Sequence, residues 1–164
     1  MITAKAPGKL YIAGEYAVVE NGYPAILVAL NQFVTCSIKV SPADTGRIIS
    51  EQYHENSLLW RRQGDKMVVD QRDNPFAYIL SAISVTEEYT RSLDRQLQIY
   101  DIYIDSQLDS ANGKKYGLGS SAAVTVATVK ALCLFYDLPV DKDKLFKLAA
   151  IAHFAVQGNG SLGD

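Results

Sequence analysis

Cysteine is nearly missing from this 164-residue chain: there are two, Cys36 and Cys133. Cys36 lies in a strand-like run and Cys133 in a helix-like run, and their separation matches no metal-binding spacing. Two buried free thiols in a reducing compartment are the expectation, rather than a disulfide or a nucleophile. Histidine is equally scarce. His54 falls in a polar loop and reads as inert; His153 falls in a helix and reads as structural rather than as a ligand. Excess charge is also lacking. Sixteen basic and 18 acidic residues leave a net charge of -2, so there is no bulk attraction to nucleic acid or an anionic membrane. Any phosphate site must arise from local geometry. No apolar run approaches the roughly 18 residues of a membrane span. The N-terminus carries no charged head followed by an apolar core, and the expectation is a cytoplasmic protein. Repeats and low-complexity segments are absent. What is present is 48% hydrophobic residues over 164 positions, enough for one domain with a core.

Periodicity gives the order of elements. Ile2 to Ala6 reads as a short strand, Pro7-Gly8 as a break, and Leu10 to Ala13 as a resumed strand. Asn21-Gly22 signals a turn. Ala25 to Leu30 is an apolar run with the look of a central strand, and Phe33 to Val40 is β-rich up to Ser41-Pro42. Arg47 to Ser50 and Met67 to Val69 read as edge strands. Phe76, Ile79, Leu80, Ile83 and Tyr89 are spaced for a helix to about Ser92, with Asn74-Pro75 as cap and first-turn proline. Leu97 to Ile104 alternates as a strand. The stretch from Ser120 to about Tyr136 is apolar and small around most of its girth, which predicts a helix buried on several sides. Leu138-Pro139 ends it, and Asp141 to Val156 forms a further helix. Strands, helix, strand, helix, helix suit an α+β domain, a mixed sheet with helices packed on one face.

Chemistry concentrates where the long helix begins, in Lys114-Lys115-Tyr116-Gly117-Leu118-Gly119-Ser120-Ser121-Ala122-Ala123. Glycines let backbone approach a ligand closely. The first N–H groups of the helix have no intrahelical partner, and the positive end of the helix dipole adds to them. Lys114 and Lys115 lie beside this stretch, either as ordinary loop charges or as anion contacts. The stretch has the local chemistry of a phosphate cradle, but taken by itself it reads more readily as an ordinary turn. It is neither a Walker loop, lacking the following Gly-Lys-Ser/Thr, nor a Rossmann fingerprint, lacking the third glycine.

A second stretch lies at the N-terminus, Lys5-Ala6-Pro7-Gly8-Lys9-Leu10-Tyr11-Ile12-Ala13-Gly14-Glu15-Tyr16-Ala17, and a third at the C-terminus, Asn159-Gly160-Ser161-Leu162-Gly163-Asp164. Together the three resemble the motifs of the GHMP kinases along the whole chain. Within that family the resemblance is strongest to the bacterial phosphomevalonate kinases, where Gly-Lys-Leu-Tyr precedes Ala-Gly-Glu-Tyr-Ala; mevalonate kinases usually have His where Tyr16 stands and Pro-Ser-Gly-x-Asp where the stretch Asn159 to Asp164 stands. These kinases are about twice this long, and their third glycine-rich motif has no counterpart here. The chain is therefore expected to be the N-terminal half, residues 1–164 as the ATP-binding domain with a ribosomal-protein-S5-domain-2-like fold and the C-terminal domain missing.

The resemblance implies ATP-dependent phosphoryl transfer to phosphomevalonate, with Mg²⁺. It puts Lys115, Gly117, Leu118, Gly119, Ser120, Ser121 and Ala122 on the ATP phosphates and the Ser121 hydroxyl at the metal. It makes Lys9 and Asp164 catalytic, Lys9 beside the transferred group and Asp164 orienting the acceptor oxygen. Lys9, Glu15, Tyr16, Ser161 and Asp164 are implied on the substrate side. By residue type alone, Lys9 is a solvated surface lysine, Asp164 a frayed terminus, and Glu15 a turn residue or a nucleotide-side contact. Tyr11, Tyr16 and Tyr23 cluster near the first motif, but tyrosines of this kind also serve as core or interface residues. Some mevalonate kinases place a metal-binding glutamate near the position of His153, so the resemblance does not supply the full ligand set of the Mg²⁺ here. The alternatives are a mevalonate kinase or another GHMP small-molecule kinase, or a module that holds nucleotide without turnover. Nucleic acid and membrane are not expected partners; self-association through uncovered apolar surface is.

Overall fold

The computed structural model describes residues 1–51, 57–70, 75–108 and 117–158. They form strands β1 (Ile2–Ala13), β2 (Ile26–Val40), β3 (Gly46–Ser50), β4 (Leu58–Gln63), β5 (Lys66–Val69) and β6 (Tyr100–Ser106), and helices α1 (Ala77–Ser92), α2 (Ser120–Phe135) and α3 (Lys142–Gln157). The sheet runs β1-β2-β6-β3-β4-β5. Neighbours are antiparallel except β3 and β6, which run parallel, so the sheet is mixed.

Period-two alternation builds its inner face. Ala4 pairs with Cys36, Cys36 with Ile104, and Ile38 with Ile102, which pairs in turn with Ile48; all are buried. The alternate positions Thr3, Lys5 and Arg47 face solvent. The three helices lie over the apolar face: α2 packs on β1 and β2, α1 and α3 pack on α2, and α1 meets α3. Small residues let α2 sit close. Ala123, Ala127 and Ala131 are all buried in the same core as Ile83 and Ile102. No described helix is long and apolar enough to cross a membrane.

Several local expectations are corrected. Pro7-Gly8 does not break the first strand. β1 is continuous, with a register shift between Pro7 and Lys9 that absorbs the irregularity. Ala25 to Leu30 is not central: Ile26 onward is the outer half of the long strand β2, pairs only with the outer half of β1, and is largely exposed. The two halves form a bare ribbon joined through the Asn21-Gly22 turn and a short 3₁₀ turn, Ala17–Val19. Leu58–Gln63 was not foreseen as a strand, because Trp-Arg-Arg-Gln breaks the apolar pattern; β4 makes β3 an interior strand and leaves β5 at the edge. β6 begins at Tyr100 rather than Leu97. Pro75 precedes α1, whose N-cap position is Phe76, without a side-chain cap; Asn74 lies outside the described residues. Both cysteines are free and buried, and desolvation pushes the Cys36 thiol up to about 12 and the Cys133 thiol to about 11. Neither is a nucleophile at neutral pH.

One corner is closed by a polar network. The carboxylate of Glu87, on α1, accepts a two-pronged contact from the Arg62 guanidinium and hydrogen bonds from Tyr100 Oη (2.7 Å) and Tyr136 Oη (3.2 Å). Arg62 also donates to Gln98 O and lies 5.0 Å over the Trp60 ring. This ties β4, β6, α1 and the end of α2 together. Burial, with the Glu87 charge next to them, raises the pKa of both tyrosines, so they stay protonated as donors.

Candidate active site

At the opposite end of α2, two backbone segments touch. The Lys9 N–H donates to Leu118 O at 2.9 Å, stitching β1 to the loop before α2. Gly8 is what permits this: a Cβ there would lie 2.9 Å from Leu118 O and 2.5 Å from Leu108 Cδ2. Gly119 occupies the N-cap position of α2 with φ of 75°, a conformation that L side chains resist. A Cβ at Gly119 would stand 3.2 Å from Lys9 Cγ and 3.3 Å from Lys9 Cε. The Lys9 side chain is therefore laid along the glycine.

The helix then opens with donors to spare. Ala123 N–H finds Gly119 O at 2.9 Å, while the N–H groups of Ser120, Ser121 and Ala122 precede that bond and point out of the helix end. No side chain of α2 caps them. A cleft of about 370 Å³ runs between this end and the ribbon, bordered by Gly8, Lys9, Val28, Gly119, Ala122 and Val126. It has one cation, Lys9, at its rim. Burial lowers the Lys9 pKa from its ordinary 10.5, opposed in part by the charge of Glu15. The ammonium also sits 3.8 Å from the centroid of Tyr11. A fixed cation, free N–H groups and the positive end of a 16-residue helix converge on one opening, an arrangement suited to an anion with several oxygens.

Of the residues singled out in the sequence, Lys9, Gly117, Leu118, Gly119, Ser120, Ser121 and Ala122 are brought together here. Glu15 lies in the turn after β1, near enough for its charge to act on Lys9. Tyr16 starts the 3₁₀ turn and is 87% exposed. Lys114, Lys115, Tyr116, Ser161 and Asp164 lie outside the described residues. Among the described residues no group of three or more His, Cys, Asp or Glu could hold a metal.

Sequence reasoning missed the Gly8–Leu118 contact. Its signal was present: Pro-Gly directly before a lysine reads as a break, yet the same glycine marks a close backbone approach. His153 is a packed residue as expected, buried and stacked on Tyr78 at 5.2 Å. Its Nε2, however, is buried without a hydrogen-bond partner.

The profile of the GHMP kinases N terminal domain matches residues 77–164, more than half of the chain. A phosphomevalonate kinase of Streptomyces sp. (strain CL190) is 37% identical over 172 residues, covering 99% of this chain and 46% of the relative. Among solved structures, Streptococcus pneumoniae phosphomevalonate kinase in complex with phosphomevalonate and AMPPNP superimposes with a TM-score of 0.80 at 33% identity, over 100% of this chain and 46% of that one. Methanococcus jannaschii mevalonate kinase also gives 0.80, at 28% identity, over 99% and 49%. The chain spans about half the length of the curated relatives it matches.

Proposed function

Because this chain belongs to the GHMP kinases through their N-terminal domain, we propose that it is the nucleotide-binding half of an ATP-dependent phosphomevalonate kinase. The reaction moves the terminal phosphoryl group of ATP to the phosphate of 5-phosphomevalonate, giving 5-diphosphomevalonate and ADP. One observation carries the reading: the Lys9 side chain lies against Gly119, at the mouth of an uncapped helix. Phosphoryl transfer needs positioning and charge neutralisation more than covalent help from the protein. The N–H groups of Ser120, Ser121 and Ala122 are suited to the ATP phosphates, and Lys9 to the charge that moves between donor and acceptor. Glu15 and Tyr16, in the turn that follows β1, are assigned to the acceptor.

The acceptor oxygen already belongs to a phosphate, so it is a competent nucleophile. Asp164 is assigned to place it and balance charge rather than to remove a proton; Ser161 and Lys115 complete the substrate and nucleotide sides. Mg²⁺ takes oxygen ligands and keeps few from protein. Mg²⁺ would be held by phosphate oxygens together with the Ser121 hydroxyl. When bound, the metal neutralises phosphate charge.

Support for phosphomevalonate over mevalonate comes from Tyr16 and from the 37% identity with the Streptomyces enzyme. Mevalonate kinases match at lower identity, among them one at 30%. The 164-residue chain alone is proposed to bind nucleotide and not to turn over. Calorimetric titration with AMPPNP and Mg²⁺ tests the site. Gly119→Val puts a branched side chain onto Lys9 at a positive φ, and affinity should fall at least about tenfold with the fold retained. Unchanged affinity would reduce the loop to a turn. A panel of phosphomevalonate and mevalonate tests the substrate, using this chain fused to the C-terminal half of the Streptomyces relative. Faster turnover of mevalonate would reverse the assignment.

A further inference from the structure

Tyr11 stands two positions after Lys9 on β1, in a stretch whose register with β2 is regular: Lys9 pairs with Ala29, Leu10 with Val28 and Tyr11 with Leu27. Period two therefore puts Lys9 and Tyr11 on one face of the ribbon. The Lys9 ammonium lies 3.8 Å from the centroid of the Tyr11 ring, in close contact with its face. Other cations that stand over rings do so at greater range. Lys39 Nζ is 5.1 Å from Tyr103, Lys144 Nζ 5.2 Å from Tyr89, and the Arg62 guanidinium 5.0 Å from Trp60.

The Lys9 side chain is thus fixed at two points. Its stem runs along Gly119, where a Cβ would come within 3.2 Å of Lys9 Cγ and 3.3 Å of Lys9 Cε. Its head rests on Tyr11. A lysine carries a compact charge on a flexible stem, so the backbone alone does not place that charge. Burial also works against it: the Lys9 pKa is lowered, and the charge of Glu15 opposes this in part. A ring face attracts the cation, more strongly where water is partly excluded. A neutral ring does so without cancelling the charge, as a carboxylate in its place would. Electrostatic help to a reaction is largest from a group already in place, which needs no reorganisation as charge moves.

We propose that Tyr11 is a positioning residue for the phosphoryl transfer assigned to this site, its ring face holding the Lys9 ammonium at the rim of the cleft with its charge intact. The inference rests on Lys9 acting in that reaction. The role needs the face of the ring and not the hydroxyl, so phenylalanine should replace Tyr11 and leucine should not.

Two measurements test it. In the 164-residue chain, the ε-methylene protons of Lys9, assigned by their loss in Lys9→Ala, should be shifted upfield by the ring current in NMR spectra. The shift should persist in Tyr11→Phe and vanish in Tyr11→Leu. In a fusion with the C-terminal half of the Streptomyces relative, Tyr11→Leu should lower kcat about 3–10-fold, the range of a partly desolvated cation–π contact, with KM for ATP little changed. Tyr11→Phe should restore the rate. Added to Lys9→Ala, Tyr11→Leu should cost nothing more, because no ammonium is left to place. A Lys9 signal at the position of a solvated lysine, a Tyr11→Phe enzyme as slow as Tyr11→Leu, or losses that add in the double change would overturn the proposal. Unaltered kcat in Tyr11→Leu beside a large loss in Lys9→Ala would overturn it alone. Normal turnover in Lys9→Ala would overturn the role of Lys9 as well.

Discussion

The two ends of α2 are built on opposite plans. At its C-terminal end side chains do the joining: Glu87 gathers Arg62, Tyr100 and Tyr136, and aromatic rings pack at steep angles around them, with Trp60 5.0 Å from Tyr100 and Phe135 5.3 Å from it. At its N-terminal end backbone does the joining, through Lys9 N–H to Leu118 O. Next to it the ribbon leaves apolar side chains uncovered, Ile12 at 62% and Ile26 at 61% exposure. The closed end contributes stability; the open end gathers Lys9, the Gly119 turn and the first N–H groups of α2 around one cleft. The nucleotide site proposed there would need polar groups that face a ligand rather than one another.

The comparison breaks first at Glu87. Glu87→Ala should strand the Arg62 guanidinium, which is largely buried. The expected cost is about 3–5 kcal/mol, read as a lower midpoint in urea unfolding. A loss under 1 kcal/mol would show that water reaches the corner and that it does not differ from the open end.

Lys9 comes next. Lys9→Ala, in the fusion with the Streptomyces C-terminal half, should lower kcat by about 10² or more, near 2.7 kcal/mol, while the urea midpoint barely moves. A mutant with normal turnover would remove Lys9 from the reaction. The uncovered ribbon gives a smaller effect. The isolated chain should associate with itself as concentration rises, since apolar patches of this kind seek cover. The double change Leu10→Ser and Ile12→Ser should shift sedimentation toward monomer. Association unaffected by it would point to another surface, such as the exposed Phe146 and Phe154 of α3.

The smallest effect is a slope in pH. His153 has a folded pKa below 6.5, so the unfolded chain takes up that proton first as pH falls. Stability is then fully present above about 6.5 and is lost progressively toward the folded pKa. His153→Phe should flatten the acid limb between these values by an amount set by one site. An unchanged limb would assign the acid sensitivity to other groups.

The glycine loop as a turn before a helix and the helix α2 were legible in the sequence, because each depends on local chemistry: backbone freedom at glycine and apolar spacing over several turns; the Pro-Gly-Lys stretch stood out only through the family resemblance. Order along the chain and the α+β class followed from periodicity for the same reason. The closed corner was not legible. Arg62 and Glu87 are 25 residues apart and Glu87 and Tyr136 are 49 apart, and nothing in a charged residue's neighbours announces a partner at that distance. Nor could periodicity tell a central strand from a bare ribbon, since Ala25 to Leu30 is apolar in either case. Burial depends on which elements arrive from elsewhere in the chain, and only tertiary packing decides that. It laid the Lys9 side chain along Gly119, left the ribbon open beside it, and buried His153 with one nitrogen unanswered.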